Sequence, residues 1–161
     1  MRHAPVRLWM HRAAVSALIG GMAAAGVVPV RGQQQPLRLP GLAGGALSES
    51  DLARGNNVLV FFAGWSPRCR DVVDRANALS ADLGRNARVV LIDFQESPAD
   101  VRSFLRDKSP RAPVYLDEEG TFSKKYSVTQ LPYVLVFRDG EVRARGALDD
   151  RAGNLVRDAL R

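Results

Sequence analysis

Three segments of strand length, each built on an uninterrupted apolar run, constrain the fold of this chain more than any other feature. They are NVLVFF at 57–62, ARVVLIDF at 87–94 and YVLVF at 133–137. A strand that is apolar at successive positions, rather than at alternate ones, is typical of a sheet covered on both faces. Segments 68–83 and 98–108 have the apolar spacing of helices. The sequence therefore predicts buried strands joined by crossover helices.

The remaining segments complete a mixed α/β pattern. PVYLD at 113–117 is a short predicted strand, TFSKKYSV at 121–128 a short helix or turn, and residues 149–161 have the amphipathic spacing of a closing helix. Asp139 and Gly140 predict a tight turn that pairs EVRARG with the strand before it. The fold class is therefore α/β, with a mixed central sheet of about five strands and helices on both faces.

The N-terminal part of the chain is typical of an export signal. Three arginines precede an uncharged, mainly apolar run at 13–30, which is the form of a secretory signal peptide. The run is also just long enough for a membrane anchor. We expect a signal peptide or N-terminal membrane anchor over 1–32, a Gly-, Pro- and Gln-rich linker over 33–46, and one domain over 47–161 outside the cytoplasm, in the periplasm or an equivalent space.

Composition excludes several classes of catalytic site. Both histidines, His3 and His11, lie in the leader, so the predicted domain has no histidine and a single cysteine, Cys69. This excludes Ser-His-Asp triads, Cys-His pairs and metal sites built from His and Cys clusters, and we expect neither a metal nor a cofactor. Four of the 23 basic side chains lie in the first 32 residues, which leaves 19 against 17 acidic ones. That balance excludes a basic surface for nucleic acid.

Two motifs, in this order, resemble those of thioredoxins. WSPRC follows a buried strand and opens a predicted helix, and Leu131 and Pro132 precede another strand. LSESDLARGNNVLVFFAGWSPRCR and VTQLPYVLVFRDGEVRARG are similar to the two signatures of the exported, often membrane-tethered TlpA-like thiol–disulfide oxidoreductases. The resemblance covers residues 47–161 and implies a thioredoxin fold with a cis Pro132 whose loop faces the active site. The substrate-binding residues that it implies are Trp65, Pro67, Arg68, Leu131 and Pro132.

The active-site pair departs from the pattern of that family. Where the family carries a first, nucleophilic cysteine, this chain has Ser66, and only the second cysteine, Cys69, is present. A serine hydroxyl is too weakly acidic to replace a thiolate, which excludes the dithiol–disulfide cycle for the domain acting alone. Val60 stands where many thioredoxins have a buried carboxylate. We expect a single-cysteine site capable of weak or monothiol exchange at most, with a protein or peptide thiol or disulfide as partner.

Cys69 and Ser66 each allow a chemical and a structural interpretation. At a helix start, beside Arg68 and Arg70, the Cys69 thiol is favoured as an anion. On the apolar stripe of the same helix, Cys69 is a small buried hydrophobic residue. Ser66 marks the position of the missing nucleophile, and Ser66 followed by Pro67 is also typical of a helix N-cap whose hydroxyl accepts a backbone N–H.

Two alternative functions remain open on this sequence. A binding module without catalysis would use the groove and Trp65 to hold a peptide. A one-cysteine peroxidase is the other alternative, because Ser66 three residues before Cys69 resembles the peroxide-reactive site of peroxiredoxins, which share the fold. Phe62 and Pro132 stand where peroxiredoxins are expected to carry a proline and an arginine.

Overall fold

The computed structural model describes residues 37–161. The predicted leader over 1–32, with its apolar run at 13–30, lies outside the described residues, as does the beginning of the predicted linker. None of the helices within the described part of the chain is long and apolar enough to cross a membrane.

The described residues form seven strands and five α-helices. The strands are β1 (Arg38–Pro40), β2 (Ala46–Ser48), β3 (Asn56–Phe62), β4 (Arg88–Phe94), β5 (Val114–Asp117), β6 (Tyr133–Arg138) and β7 (Glu141–Ala147). The helices are α1 (Glu49–Leu52), α2 (Val72–Leu83), α3 (Pro98–Leu105), α4 (Thr121–Lys125) and α5 (Ala152–Leu160). A 3₁₀ turn at Pro67–Cys69 precedes α2.

The central sheet has five strands in the order β5-β4-β3-β6-β7. β4 is parallel to both β3 and β5, whereas β6 is antiparallel to β3 and to β7. The turn between β6 and β7 has positive φ at Asp139 (50°) and Gly140 (86°), which is the backbone conformation of a tight two-residue hairpin. The predicted mixed sheet of about five strands is confirmed.

Side chains along β3 alternate between two hydrophobic cores. Val58, Val60 and Phe62 lie in the core under α2, α3 and α5. Leu59 and Phe61 lie in the core under the β1–β2 hairpin, α1 and α4. All five are fully buried. Because both faces of the sheet are covered, β3 must be apolar at successive positions, and the prediction of helices on both faces is confirmed.

The part of the predicted linker that the structure describes is not irregular. β1 pairs antiparallel with β2, and Leu39 and Leu47 of this hairpin are buried. The Leu42 N–H donates to the Val114 carbonyl at 2.9 Å, which joins the hairpin to the edge of the sheet. Residues 38–48 therefore form an ordered hairpin. Glycine and proline in this segment shape a hairpin, and the burial of its leucines holds it against the domain.

The helix after the WSPRC motif begins later than its apolar spacing predicts. The spacing predicts one helix over 68–83, whereas the structure has a 3₁₀ turn at 67–69 and starts α2 at Val72. Asp71, with a non-helical ψ of 11°, occupies the N-cap position of α2. Cys69 therefore precedes the α-helix and is not in its first turn.

One carboxyl group, that of Asp93, is buried at the end of β4. Asp93 has no exposed surface, its Oδ2 accepts a hydrogen bond from the Glu96 N–H at 3.1 Å, and its Oδ1 has no partner among the described residues. Burial, and then the adjacent Glu96 carboxyl group, raise the pKa of Asp93 to about 8. The folded chain therefore favours a protonated Asp93.

Replacing Asp93 with asparagine is expected to remove a pH-dependent loss of stability. An unfolded aspartate titrates near pH 3.9, so up to about pH 8 the folded chain retains a proton that the unfolded chain has released. The free energy of unfolding therefore falls as pH rises through this interval. In urea denaturation, the free energy of unfolding of Asp93→Asn should exceed that of the parent by at least about 1 kcal/mol at about pH 9, and by less at about pH 5.

The exposed residue Asp107 offers a matched control for this experiment. Asp107→Asn also removes one carboxylate, but from a solvated position, and should keep the pH dependence of the parent. Identical pH dependence in the parent and in Asp93→Asn would contradict the assignment of a protonated, buried Asp93.

Candidate functional site

Two loops meet at the ends of neighbouring strands. β3 and β6 are antiparallel, with Phe61 opposite Tyr133, so the WSPRC loop that follows β3 faces the loop that precedes β6. The latter contains the Leu131–Pro132 peptide bond, which is cis. A pocket of about 370 Å³ lies between the loops. It is lined by Trp65, Ser66 and Arg68 from the first loop, Phe94 from β4, and Val128, Thr129, Gln130 and Leu131 from the second.

Cys69 is buried beneath the first of these loops. It has no exposed surface and belongs to the core under α2. Burial raises the pKa of the Cys69 thiol, and hydrogen bonding at the Ala63 backbone and to the Ser66 hydroxyl offsets only part of this rise. The interpretation of Cys69 as a small buried hydrophobic residue therefore describes the structure, and the thiol is protonated at neutral pH.

Nearby charges also oppose a Cys69 thiolate. The carboxylates of Glu96 and Asp71 raise the pKa of the thiol further, while Arg68 and Arg70 are exposed to solvent. The net shift in pKa is opposite to the one expected from a helix start flanked by arginines. Water screens the exposed guanidinium groups, whereas desolvation acts on the thiol directly.

Ser66 lies between the pocket and the buried thiol. It is 8% exposed, and its carbonyl accepts the Cys69 N–H at 2.9 Å. Ser66 and Pro67 occupy the N-cap and first positions of the 3₁₀ turn, but the Ser66 hydroxyl makes no capping hydrogen bond. The prediction of hydroxyl capping is therefore wrong: the backbone carbonyl of Ser66, and not its hydroxyl, accepts the Cys69 N–H.

Most of the residues predicted to bind a substrate surround the pocket. Trp65 is 63% exposed, and Arg68 is exposed and makes no ion pair or hydrogen bond with any residue of 37–161. Leu131 lines the pocket, and with Pro132 it also lines an adjoining cavity of about 210 Å³. Pro67 is exposed in the 3₁₀ turn and does not line the pocket.

Residues at the end of β4 also belong to this region, although no motif predicts them. Phe94 lines the pocket, and the Glu96 Oε2 accepts a hydrogen bond from the Gly64 N–H in the first loop. Val60 is buried and supplies no carboxyl group. Asp93, on the neighbouring strand, does supply a buried carboxyl group. The parallel pairing of β3 with β4 is the signal that could have located these residues, because the carboxyl ends of parallel strands meet at one edge of a sheet.

No metal site accompanies these groups. Within residues 37–161 there is no cluster of three or more His, Cys, Asp or Glu side chains that could hold a metal ion.

Comparison with known proteins identifies a family and a set of similar structures. A family model described as the AhpC/TSA family matches residues 31–145, which is more than half of the chain. No curated protein sequence matches the chain significantly.

Three solved structures illustrate the similarity of fold. A protein from Chlorobium tepidum, assigned as a thiol:disulfide interchange protein DsbE, has a TM-score of 0.69 and 22% identity, and the match covers 78% of this chain and 94% of that one. A secreted Mycobacterium tuberculosis disulfide oxidoreductase homologous to E. coli DsbE gives 0.66 and 19%, covering 76% and 96%. The pneumococcal exposed lipoprotein thioredoxin Etrx1 from Streptococcus pneumoniae gives 0.67 and 18%, covering 78% and 97%.

These matches agree with the fold that the two motifs imply. The chain belongs to the AhpC/TSA family and has the thioredoxin fold of the thiol–disulfide oxidoreductases that it resembles in structure.

Proposed function

We propose that this protein is an exported, TlpA-like thioredoxin-fold protein that binds a peptide segment of a partner without catalysing dithiol exchange. The observation that carries the proposal is the complete burial of Cys69 behind Ser66. A serine lines the pocket at the position of the attacking sulfur, and the remaining sulfur has no contact with solvent.

The chemistry of disulfide exchange supports a site without catalysis. Exchange needs a thiolate that reaches the sulfur of its partner. Ser66 supplies no sulfur, and burial both withholds the Cys69 sulfur from solvent and raises the pKa of its thiol. The same properties disfavour a one-cysteine peroxidase, because a peroxide-reactive cysteine must be an accessible thiolate. They also restrict monothiol exchange to the times when the loop opens and exposes the Cys69 sulfur.

The pocket retains features that a peptide-binding site needs. Trp65 offers an exposed aromatic surface beside the second loop. The backbone groups of Gln130 and Leu131 make no hydrogen bonds with residues 37–161, so they are available to pair with an extended peptide. A protein or peptide that carries a thiol or disulfide is the partner that the resemblance implies.

The leader supports a location outside the cytoplasm. Three arginines followed by the uncharged run at 13–30 have the form of an export signal. The Mycobacterium tuberculosis neighbour is secreted and the Streptococcus pneumoniae neighbour is an exposed lipoprotein, which agrees with export. We propose that residues 1–32 are a cleaved signal or a membrane tether, and that the domain works in the periplasm or an equivalent space.

Alkylation of the folded protein is expected to be slow. Because Cys69 is buried, a reagent such as iodoacetamide reaches the sulfur only after local opening of the loop, which reduces the rate by at least about a hundredfold relative to urea-unfolded protein. The measurement is mass-spectrometric labelling at neutral pH with and without urea. Equal rates in the two states would contradict the proposal.

Restoring the missing sulfur is expected to restore redox activity. In Ser66→Cys, the new thiol lies at the edge of the pocket, three residues before Cys69 on the same 3₁₀ turn. Such a pair forms the attacking and resolving thiols of an exchange cycle. Insulin reduction driven by dithiothreitol should therefore rise above background in Ser66→Cys, while the parent stays at background.

The double variant Ser66→Cys, Cys69→Ser is the matched control. It has the exposed thiol but no resolving partner, and it should not turn over. Insulin reduction by the parent at the rate of Ser66→Cys would refute the loss of dithiol exchange. If Ser66→Cys is inactive, the serine at position 66 is not the reason why the parent lacks dithiol exchange.

A further inference from the structure

The pocket between the two loops is one end of a longer groove. The pocket of about 370 Å³ and the adjoining cavity of about 210 Å³ share three lining residues, Arg68, Gln130 and Leu131. The groove is therefore lined by Arg68 and Leu131 along its length, and its second part is also lined by Pro132 and Leu148.

The two ends of this groove differ in chemistry. The first end combines a large aromatic surface, from Trp65 and Phe94, with the polar residues Ser66, Thr129 and Gln130. The second end is lined by Ala147 and Leu148 together with charged residues. A ligand that follows the whole groove therefore needs a large apolar group at the first end.

The charged residues at the second end already have partners within the protein. Arg75 pairs with Asp71 at 2.7 Å and with Asp150 at 3.1 Å. The Asp149 carboxylate accepts the Arg151 N–H at 2.9 Å. Arg75 therefore offers little net attraction for an anionic ligand, because the carboxylates of Asp71 and Asp150 compensate its charge.

Arg68 differs from them because it has no such compensation. It is exposed, makes no ion pair or hydrogen bond with any described residue, and is the one charged side chain in the lining of the first pocket. A guanidinium group binds carboxylates through paired N–H donors, and it does so more strongly beside apolar surface than in open water.

We infer that the groove selects an acidic peptide: an extended segment with an aromatic side chain against Trp65 and Phe94 and an Asp or Glu carboxylate on Arg68. This inference rests on the proposed peptide-binding function and specifies the class of partner. The aromatic contact supplies apolar burial, and Arg68 supplies the discrimination between acidic, neutral and basic segments.

Calorimetric titration of the full-length protein with three capped octapeptides tests the inference. Each peptide carries one phenylalanine followed by three identical residues, which are glutamate, glutamine or lysine. The glutamate peptide should bind about tenfold more tightly than the glutamine peptide, and the lysine peptide more weakly still. Added salt should reduce the difference.

Variants of two neighbouring arginines separate Arg68 from general charge. Arg68→Ala should make the glutamate and glutamine peptides bind equally, and Arg68→Glu should reverse the preference in favour of lysine. Arg70 is exposed, two residues away and outside the groove lining. Arg70→Ala removes the same charge and should keep the preference for glutamate.

The outcomes distinguish the two levels of the proposal. If the three peptides bind with equal affinity, or if Arg70→Ala abolishes the preference as Arg68→Ala does, the role of Arg68 is refuted while peptide binding in the groove stands. If no peptide binds, both the acidic specificity and the proposed binding function are refuted.

Discussion

The position of the candidate site depends on the burial of β3 between two neighbouring strands and two hydrophobic cores. β4 and β6 hydrogen-bond to its edges, and its side chains fill the core on each face. A strand held on four sides leaves its following loop little freedom. The loop therefore emerges where β4 ends and β6 begins, which brings Trp65, Phe94 and Leu131 to one pocket.

Within that loop, residues a few positions apart have opposite environments. Cys69 continues the hydrophobic core below the sheet edge, and desolvation raises the pKa of its thiol. Trp65 and Arg68 are exposed, and they contribute an aromatic surface and a positive charge that forms no ion pair within residues 37–161. The loop thus combines exposed aromatic and cationic groups with a sulfur atom that solvent does not reach.

The sequence allowed the fold and the location of the site to be predicted, because both depend on local patterns. Apolar runs define the buried strands, and the WSPRC and Leu-Pro motifs mark the loops that meet. The β1–β2 hairpin was not predictable in this way, since it is held by Leu39 and Leu47 packing against distant strands. The burial of the Asp93 carboxyl group likewise depends on distant segments, because β4 lies between β3 and β5.

The sequence alone determines which atoms are available: a hydroxyl group at Ser66, one sulfur at Cys69, and no histidine beyond residue 11. No arrangement of these atoms makes a dithiol within one chain. Only the tertiary structure decides that Cys69 is buried, that Asp93 retains a proton and that Arg68 has no ion-pair partner within residues 37–161. Composition counts groups regardless of their surroundings, whereas solvation and pairing depend on which distant segments the fold places against each group.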